Sequence, residues 1–481
     1  MKSFPIVEPN QSIKECMVII DKFAKGISYI ADKEILEGIC TDGDIRRALL
    51  DGASLEDPIS SIMNKDFVSF NINTESKVIR ERFSNRIRHI PLIDDAGVLL
   101  DIADPQGNYR ISVLEPLMQG NELKYVTECI ETNWISSQGR FVNQFEMIFE
   151  DFHNGTNALA VSNGTVALHL ALISLGVGSG DEVIVPDITF AACANAVIYT
   201  GASPVFCEID PDTWCIDTNE AKKLITASTK AIMAVHLYGQ PCNMDSIKLL
   251  CDESNLLMVE DCAEALGSEW KGKKVGTFGD AATFSFFGNK TISTGEGGMI
   301  LFKNSKIADR ARTFRDHGMS KAKRYWHDII GYNYRLTNIQ AAIGVAQMEK
   351  FNDILEKKLK ICSFYDSFLN GVNGIKKLPS NPIGSIHSNW LYGVVLDEKI
   401  DREKVGLELQ TLGIETRPFF YSLSEMPPYR KFAKVHNKIA KKVSENGLSL
   451  PSSVSLSIDQ LNSTLECLIS AIENENRKTT F

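Results

Sequence analysis

Between residues 157 and 260, short apolar runs alternate with helical patterns, and this alternation restricts the fold of the 481-residue chain more than any other feature. Apolar runs at 158–161, 183–185, 204–208, 231–235 and 256–260 read as strands. Residues 164–175, 191–199 and 244–253 carry helical periodicity between them. Strands that alternate with helices build an α/β domain with a mostly parallel sheet covered on both faces. Upstream, 122–133 and 144–152 read as helices; after about Ala341 a long helix leads out into a smaller α+β region. Length alone predicts roughly three domains at about 150 residues each.

Charge and composition exclude several classes. The chain carries 51 basic and 61 acidic residues, a net charge of −10. Such a balance gives no field to hold a phosphate backbone, so no nucleic-acid partner is expected. No apolar run approaches the roughly 20 residues of a membrane span. The opening Met1-Lys2-Ser3-Phe4-Pro5 lacks the apolar stretch of a signal peptide. The 11 cysteines are scattered, with no CxxC pair. We expect reduced thiols, a cytoplasmic protein and no metal site.

Three segments carry chemistry. Val161-Ser162-Asn163-Gly164-Thr165 places a tight glycine turn between a strand and a helix, where free N–H groups bind anions. An ordinary capped turn reads the same way. Asp261 ends an apolar strand, where α/β proteins bind ligands and a carboxylate can hold a protonated ring nitrogen. A helix N-cap is the alternative. Lys290 closes an aromatic strand, Ala282-Thr283-Phe284-Ser285-Phe286-Phe287-Gly288-Asn289-Lys290, ahead of a glycine-rich loop. A lysine withdrawn from water there can form a Schiff base, whereas a surface lysine is the default for any single Lys. Anion cradle, carboxylate and lysine in one α/β domain are the parts that pyridoxal phosphate requires.

Residues 115–481 resemble the DegT/DnrJ/EryC1/StrS sugar aminotransferases of fold-type I. The motifs are Asn163-Gly164-Thr165, Gly180-Asp181-Glu182-Val183-Ile184-Val185-Pro186, Val235-His236-Leu237-Tyr238-Gly239, Glu260-Asp261-Cys262-Ala263-Glu264-Ala265, Ser285-Phe286-Phe287-Gly288-Asn289-Lys290 and Gly331-Tyr332-Asn333-Tyr334-Arg335. The resemblance implies a large cofactor domain over 113–365, with a mostly parallel seven-stranded sheet, and a small α+β domain over 366–481. It implies pyridoxal 5'-phosphate as cofactor. It makes Lys290 the Schiff-base lysine, which also shuttles the proton, and Asp261 the partner of the ring nitrogen. Gly164, Thr165 and Ser285 would bind the phosphate, and Phe190 would stack on the ring. Asn333 would reach the phosphate from a neighbouring subunit, which implies a homodimer with shared active sites. Whether dimers pair into tetramers is left open.

The resemblance also puts Glu264 near the cofactor's phenolic oxygen, in place of the Gln or His of many members, and a second anion there is unfavourable unless protonated or bridged by water. Asp261-Cys262-Ala263-Glu264-Ala265, together with 324–333 and 413–421, resembles the perosamine-synthase branch of the family. That branch uses L-glutamate to aminate C4 of GDP-4-keto-6-deoxy-D-mannose, a step toward O-antigen. His327, Arg417 and Phe419 are the substrate candidates, Arg417 because its planar fork suits phosphate or carboxylate. The same chemistry on UDP-4-keto-6-deoxy-HexNAc is the near rival. A sugar dehydratase is disfavoured because such enzymes replace the lysine with histidine.

Residues 1–112 read as two similar halves of β-β-α type. Helices are expected over 12–25 and 77–86, and strands over 27–30, 35–40, 90–93 and 98–102. Neither half can bury its face alone, so the halves should pack together. The stretch resembles a tandem CBS pair, or Bateman module. Gly38-Ile39-Cys40-Thr41-Asp42-Gly43-Asp44 fits the G-x-x-[ST]-x-x-[DN] pattern of its nucleotide sites, which makes Thr41 and Asp44 candidate nucleotide ligands. The second half departs from the pattern. Nucleotide sensing and a structural or dimerising role therefore both stand, as does a regulator in which the CBS pair is the working part.

Overall fold

The structure is a computed structural model that describes residues 4–74, 78–79, 81–84, 86–104, 110–155, 157–379 and 382–479. The chain divides into two compact units, residues 1–111 with 410–414, and residues 112–409 with 415–481.

The larger unit is built on a seven-stranded sheet. In spatial order its strands are Asn157–Val161, Gly298–Phe302, Ala281–Ser285, Leu257–Asp261, Thr229–Val235, Glu182–Pro186 and Ser203–Cys207. All pairings are parallel except those of Gly298–Phe302, which runs antiparallel to both neighbours. The continuous apolar strands are those of a sheet covered on both faces. Val183 and Val185 pack with Leu168, Leu172 and Val197 on one face, while Ile184 packs with Ile247 and Leu250 on the other. Each strand end is thereby delivered between two helical layers.

Sequence periodicity locates these elements closely. The reversed strand Gly298–Phe302 was not anticipated: its apolar run follows directly on the glycine-rich loop. The long helix expected after 341 is two helices, Asn338–Glu349 and Phe351–Leu369, separated at Lys350. The C-terminal part holds a four-stranded antiparallel sheet ordered Ile375–Lys377, Tyr392–Leu396, Gly447–Leu450, Arg417–Pro418. The helix Ile458–Thr479 ends the described chain. Among the described residues no helix is long and apolar enough to cross a membrane.

The smaller unit contains an internal repeat. Ile6–Val7, Ile27–Asp32 and Ile35–Thr41 form one three-stranded sheet; Phe70–Asn71, Ile90–Ile93 and Leu99–Ala103 form another. In each, the first strand pairs parallel with the second, and the second antiparallel with the third. The first half reads strand, helix, strand, strand, helix: a short strand and the helix Ile13–Phe23 precede the β-β-α run that ends in the helix Asp42–Leu50. The helix expected over 77–86 lies partly outside the described residues. Ile27 and Tyr29 of one half cluster with Leu99 and Ile102 of the other, so the halves share apolar surface.

Candidate active site

Strand ends define the site. Asn157–Val161 runs into Asn163, whose side chain caps the helix Gly164–Ser174 by accepting the Val166 N–H at 3.0 Å. Helix geometry leaves the Gly164 and Thr165 N–H groups without an intrahelical acceptor. A Cβ on Gly164 would stand 2.8 Å from the Ser285 Cβ, so glycine lets this helix start sit on the end of Ala281–Ser285. Asp261 ends the adjacent strand; the aromatic strand stops at Ser285, so Lys290 does not close it but sits in the turn that follows, its N–H donating to the Phe287 carbonyl. These ends open on a cavity of about 560 Å³. Gly164, Thr165, Phe190, Asp261, Glu264, Ser285, Lys290 and Arg417 all line it.

Asp261 is held on both oxygens. Oδ1 accepts the Ala263 N–H at 3.0 Å, and Oδ2 accepts the Cys193 thiol at 3.0 Å. Cys193 Sγ lies 3.1 Å from Thr189 Oγ1, and burial pushes its thiol well up, so it serves as a neutral donor. Lys290 Nζ lies 3.5 Å from Glu264 Oε1. Glu264 Oε2 accepts the Tyr238 N–H at 2.8 Å. Burial raises the Glu264 carboxyl above its ordinary range, opposed by the Lys290 charge and the Tyr238 N–H and reinforced by Asp261.

The neighbouring Glu260 points the other way, as successive residues of a strand do. Fully buried, it accepts N–H groups from Gly276 at 2.8 Å, Phe278 at 2.8 Å and Gly279 at 2.7 Å. His236 Nε2 lies 3.2 Å from Glu260 Oε2, while His236 Nδ1 accepts the Cys242 N–H at 3.0 Å. Burial pushes Glu260 up, but His236 and the N–H groups outweigh it and hold the carboxyl low. His236, Glu260 and Cys262 bring potential metal-ligating atoms within 4.8 Å of one another. Both imidazole nitrogens and both carboxylate oxygens already serve hydrogen bonds, so the cluster is a structural network.

Three candidates lie away from the cavity lining. Asn333 accepts from Arg335 Nε at 3.1 Å. His327 is exposed, with Nδ1 2.9 Å from the His317 carbonyl. Phe419 is buried in the core against Trp214 and Tyr238, at centroid distances of 5.2 and 4.6 Å. Its neighbour Phe420 lines the cavity instead. Sequence reasoning missed Tyr238, Cys193, Thr189 and Trp390, all at or against the cavity. Val235-His236-Leu237-Tyr238-Gly239 had pointed to Tyr238 as a motif without giving it a role.

The donor set fits pyridoxal phosphate: open N–H groups and a hydroxyl for a phosphate, a fixed carboxylate for a ring nitrogen, a lysine amine, and the half-exposed Phe190 ring. Comparisons with known proteins agree. The model of the DegT/DnrJ/EryC1/StrS aminotransferase family matches residues 116–469. GDP-perosamine synthase of Vibrio cholerae is 45% identical over 361 residues, which cover 74% of this chain and 98% of that protein. GDP-perosamine synthase of Caulobacter vibrioides is 47% identical over 349 residues, covering 72% and 94%. The PLP form of the sugar aminotransferase Spr1654 from Streptococcus pneumoniae superposes with a TM-score of 0.73 at 26% identity, covering 76% of this chain and all of that one. The chain is a pyridoxal-phosphate-dependent enzyme that belongs to the DegT/DnrJ/EryC1/StrS aminotransferase family.

Proposed function

We propose that this enzyme transfers the amino group of L-glutamate to C4 of GDP-4-keto-6-deoxy-D-mannose, giving GDP-perosamine for surface-glycan synthesis. The observation that carries this reading is 45–47% identity to two GDP-perosamine synthases over nearly their whole length. Bound pyridoxal phosphate supplies an electron sink for the carbon that loses or gains the amino group. The Gly164 and Thr165 N–H groups and the Ser285 hydroxyl bind its phosphate. Asp261 holds a proton at the ring nitrogen. Lys290 Nζ carries a proton to and from the substrate carbon. Phe190 orients the ring, and Asn333 completes the phosphate site of a partner subunit in a homodimer. Glutamate leaves as 2-oxoglutarate before the keto sugar enters the same cavity, where Arg417 meets its anionic part.

The test is turnover with L-glutamate and either GDP-4-keto-6-deoxy-D-mannose or UDP-4-keto-6-deoxy-HexNAc, followed by 2-oxoglutarate release. Turnover with the GDP sugar alone supports the reading. Turnover with the UDP sugar alone keeps the mechanism and overturns the substrate.

For residues 1–112 we propose a tandem CBS pair that binds a nucleotide through Thr41 and Asp44 and modulates turnover. The internal repeat of strands supports the module. Calorimetry of the full chain with AMP, ATP, GDP and GDP-mannose tests the ligand. Heat of binding abolished by Asp44→Ala supports sensing; no heat with any of the four leaves the module a structural role.

A further inference from the structure

Trp390 enters the cavity from the C-terminal region, and four contacts fix it. Its indole Nε1 donates to the carbonyl of Asn289, the residue before Lys290, at 2.5 Å. The Lys290 ammonium sits over the indole, 3.9 Å from the ring centroid. The Trp390 carbonyl accepts from the buried Lys358 ammonium at 2.6 Å, and the same Nζ donates to the Ser452 carbonyl at 2.8 Å. Trp390 also stacks on Tyr238, with ring planes 14° apart and centroids 6.1 Å apart. Gly239, at φ +99°, makes room: a Cβ there would lie 2.7 Å from the Asn389 nitrogen and 3.0 Å from the Trp390 nitrogen. Any other residue would push this segment away from the lysine. Trp390 is 4% exposed and still lines the cavity.

We propose that Trp390 is the positioning residue of Lys290: one side chain pins the backbone before the lysine and supplies the aromatic face on which the amine rests. Four flexible methylenes would otherwise let Nζ sample much of the cavity. A cation held over an aromatic face and a pinned backbone remove that freedom. Lys358 anchors the tryptophan from behind, so the long helix Phe351–Leu369 reaches the lysine through it.

The proposal rests on Lys290 being the cofactor lysine, and the test separates the two claims. Cofactor-free protein is titrated with pyridoxal phosphate, whose retention uses the Lys290 amine, and with pyridoxamine phosphate, whose retention does not. Variants Lys290→Ala, Trp390→Phe and Trp390→Leu are compared. Trp390→Leu is expected to lose on the order of ten-fold in pyridoxal phosphate affinity. Trp390→Phe, which keeps the ring and loses the N–H, is expected to lose about three-fold. Both are expected to hold pyridoxamine phosphate as the parent does. Equal losses for the two cofactors, or none in Trp390→Leu while Lys290→Ala loses pyridoxal phosphate selectively, overturn the positioning role. No selective loss in Lys290→Ala overturns the assignment of the lysine itself.

Discussion

Thr41 with Asp44 and Lys290 with Asp261 were both read from short motifs, yet the fold treats the two pairs differently. Thr41 Oγ1 donates to Asp44 Oδ2 at 2.6 Å, the Thr41 N–H donates to the same oxygen at 2.9 Å, and the Asp44 N–H returns to Thr41 Oγ1 at 3.2 Å. Arg47 Nη2 takes Asp44 Oδ1 at 2.5 Å. This is a capping box that starts the helix Asp42–Leu50. A nucleotide bound there must displace bonds the module already makes. Around Lys290 the reverse holds. Helix-start N–H groups, a hydroxyl, a lysine and a fixed carboxylate converge on a cavity instead of consuming one another. A motif marks a binding site most strongly when the fold turns its polar groups toward a cavity rather than toward one another.

Lys290→Ala gives the largest contrast. Turnover is expected to fall at least ~10⁴-fold, while urea unfolding of the cofactor-free protein changes little; assay and unfolding together check it. Asp261→Asn comes next, with a loss of ~10²–10³-fold in kcat, because a neutral amide no longer holds the ring-nitrogen proton. Parent-like turnover in either variant would break the comparison on the cavity side.

The third prediction sets two carboxylates of one motif against each other. Glu260→Gln is expected to destabilise the cofactor-free protein by about 3 kcal/mol at pH 7, because a buried anion with several donors is lost. Its carboxyl lies below the ordinary range when folded, so this stability is present above pH 4.5 and is lost as pH falls through the lowered value. Glu264→Gln is expected to stabilise by roughly 1 kcal/mol at pH 7 and to lower turnover. Its carboxyl is raised when folded. The unfolded chain sheds that proton first, so the parent loses stability as pH rises above 4.5, and the glutamine variant does not. Urea unfolding from pH 4 to pH 8 reads both signs, and equal signs would contradict the assigned roles.

The smallest effect belongs to the N-terminal unit. Thr41→Ala is expected to cost about 1 kcal/mol in that unit's unfolding and to leave basal turnover unchanged. Calorimetric melting and the turnover assay check it together.

Much of this was legible in the sequence because the informative residues are near in sequence or periodic. Asp261, Gly164 and Ser285 sit at strand ends or a helix start that hydrophobic period and turn chemistry locate, and Lys290 sits in the turn just beyond one of those strands. Trp390 and Cys193 belong to distant segments, and only tertiary packing brings them to the lysine and the carboxylate. Phe419 and Phe420 are adjacent aromatics, and a step of one residue reverses which faces the cavity. The reversed strand Gly298–Phe302 looks like its parallel neighbours in composition, since all are buried on both faces. Glu260 and Glu264 are both buried carboxyls until their partners part them: His236 and backbone N–H groups outweigh burial at Glu260, whereas burial outweighs Lys290 and the single Tyr238 N–H at Glu264.

Reductive trapping followed by peptide mapping tests the central claim most directly. Enzyme loaded with pyridoxal phosphate is treated with borohydride and digested, and the modified lysine is located by mass spectrometry. We predict a phosphopyridoxyl mass on the peptide that contains Lys290, and none when L-glutamate has first discharged the enzyme. Modification of another lysine, or an unchanged yield after glutamate, would contradict amino transfer at this cavity.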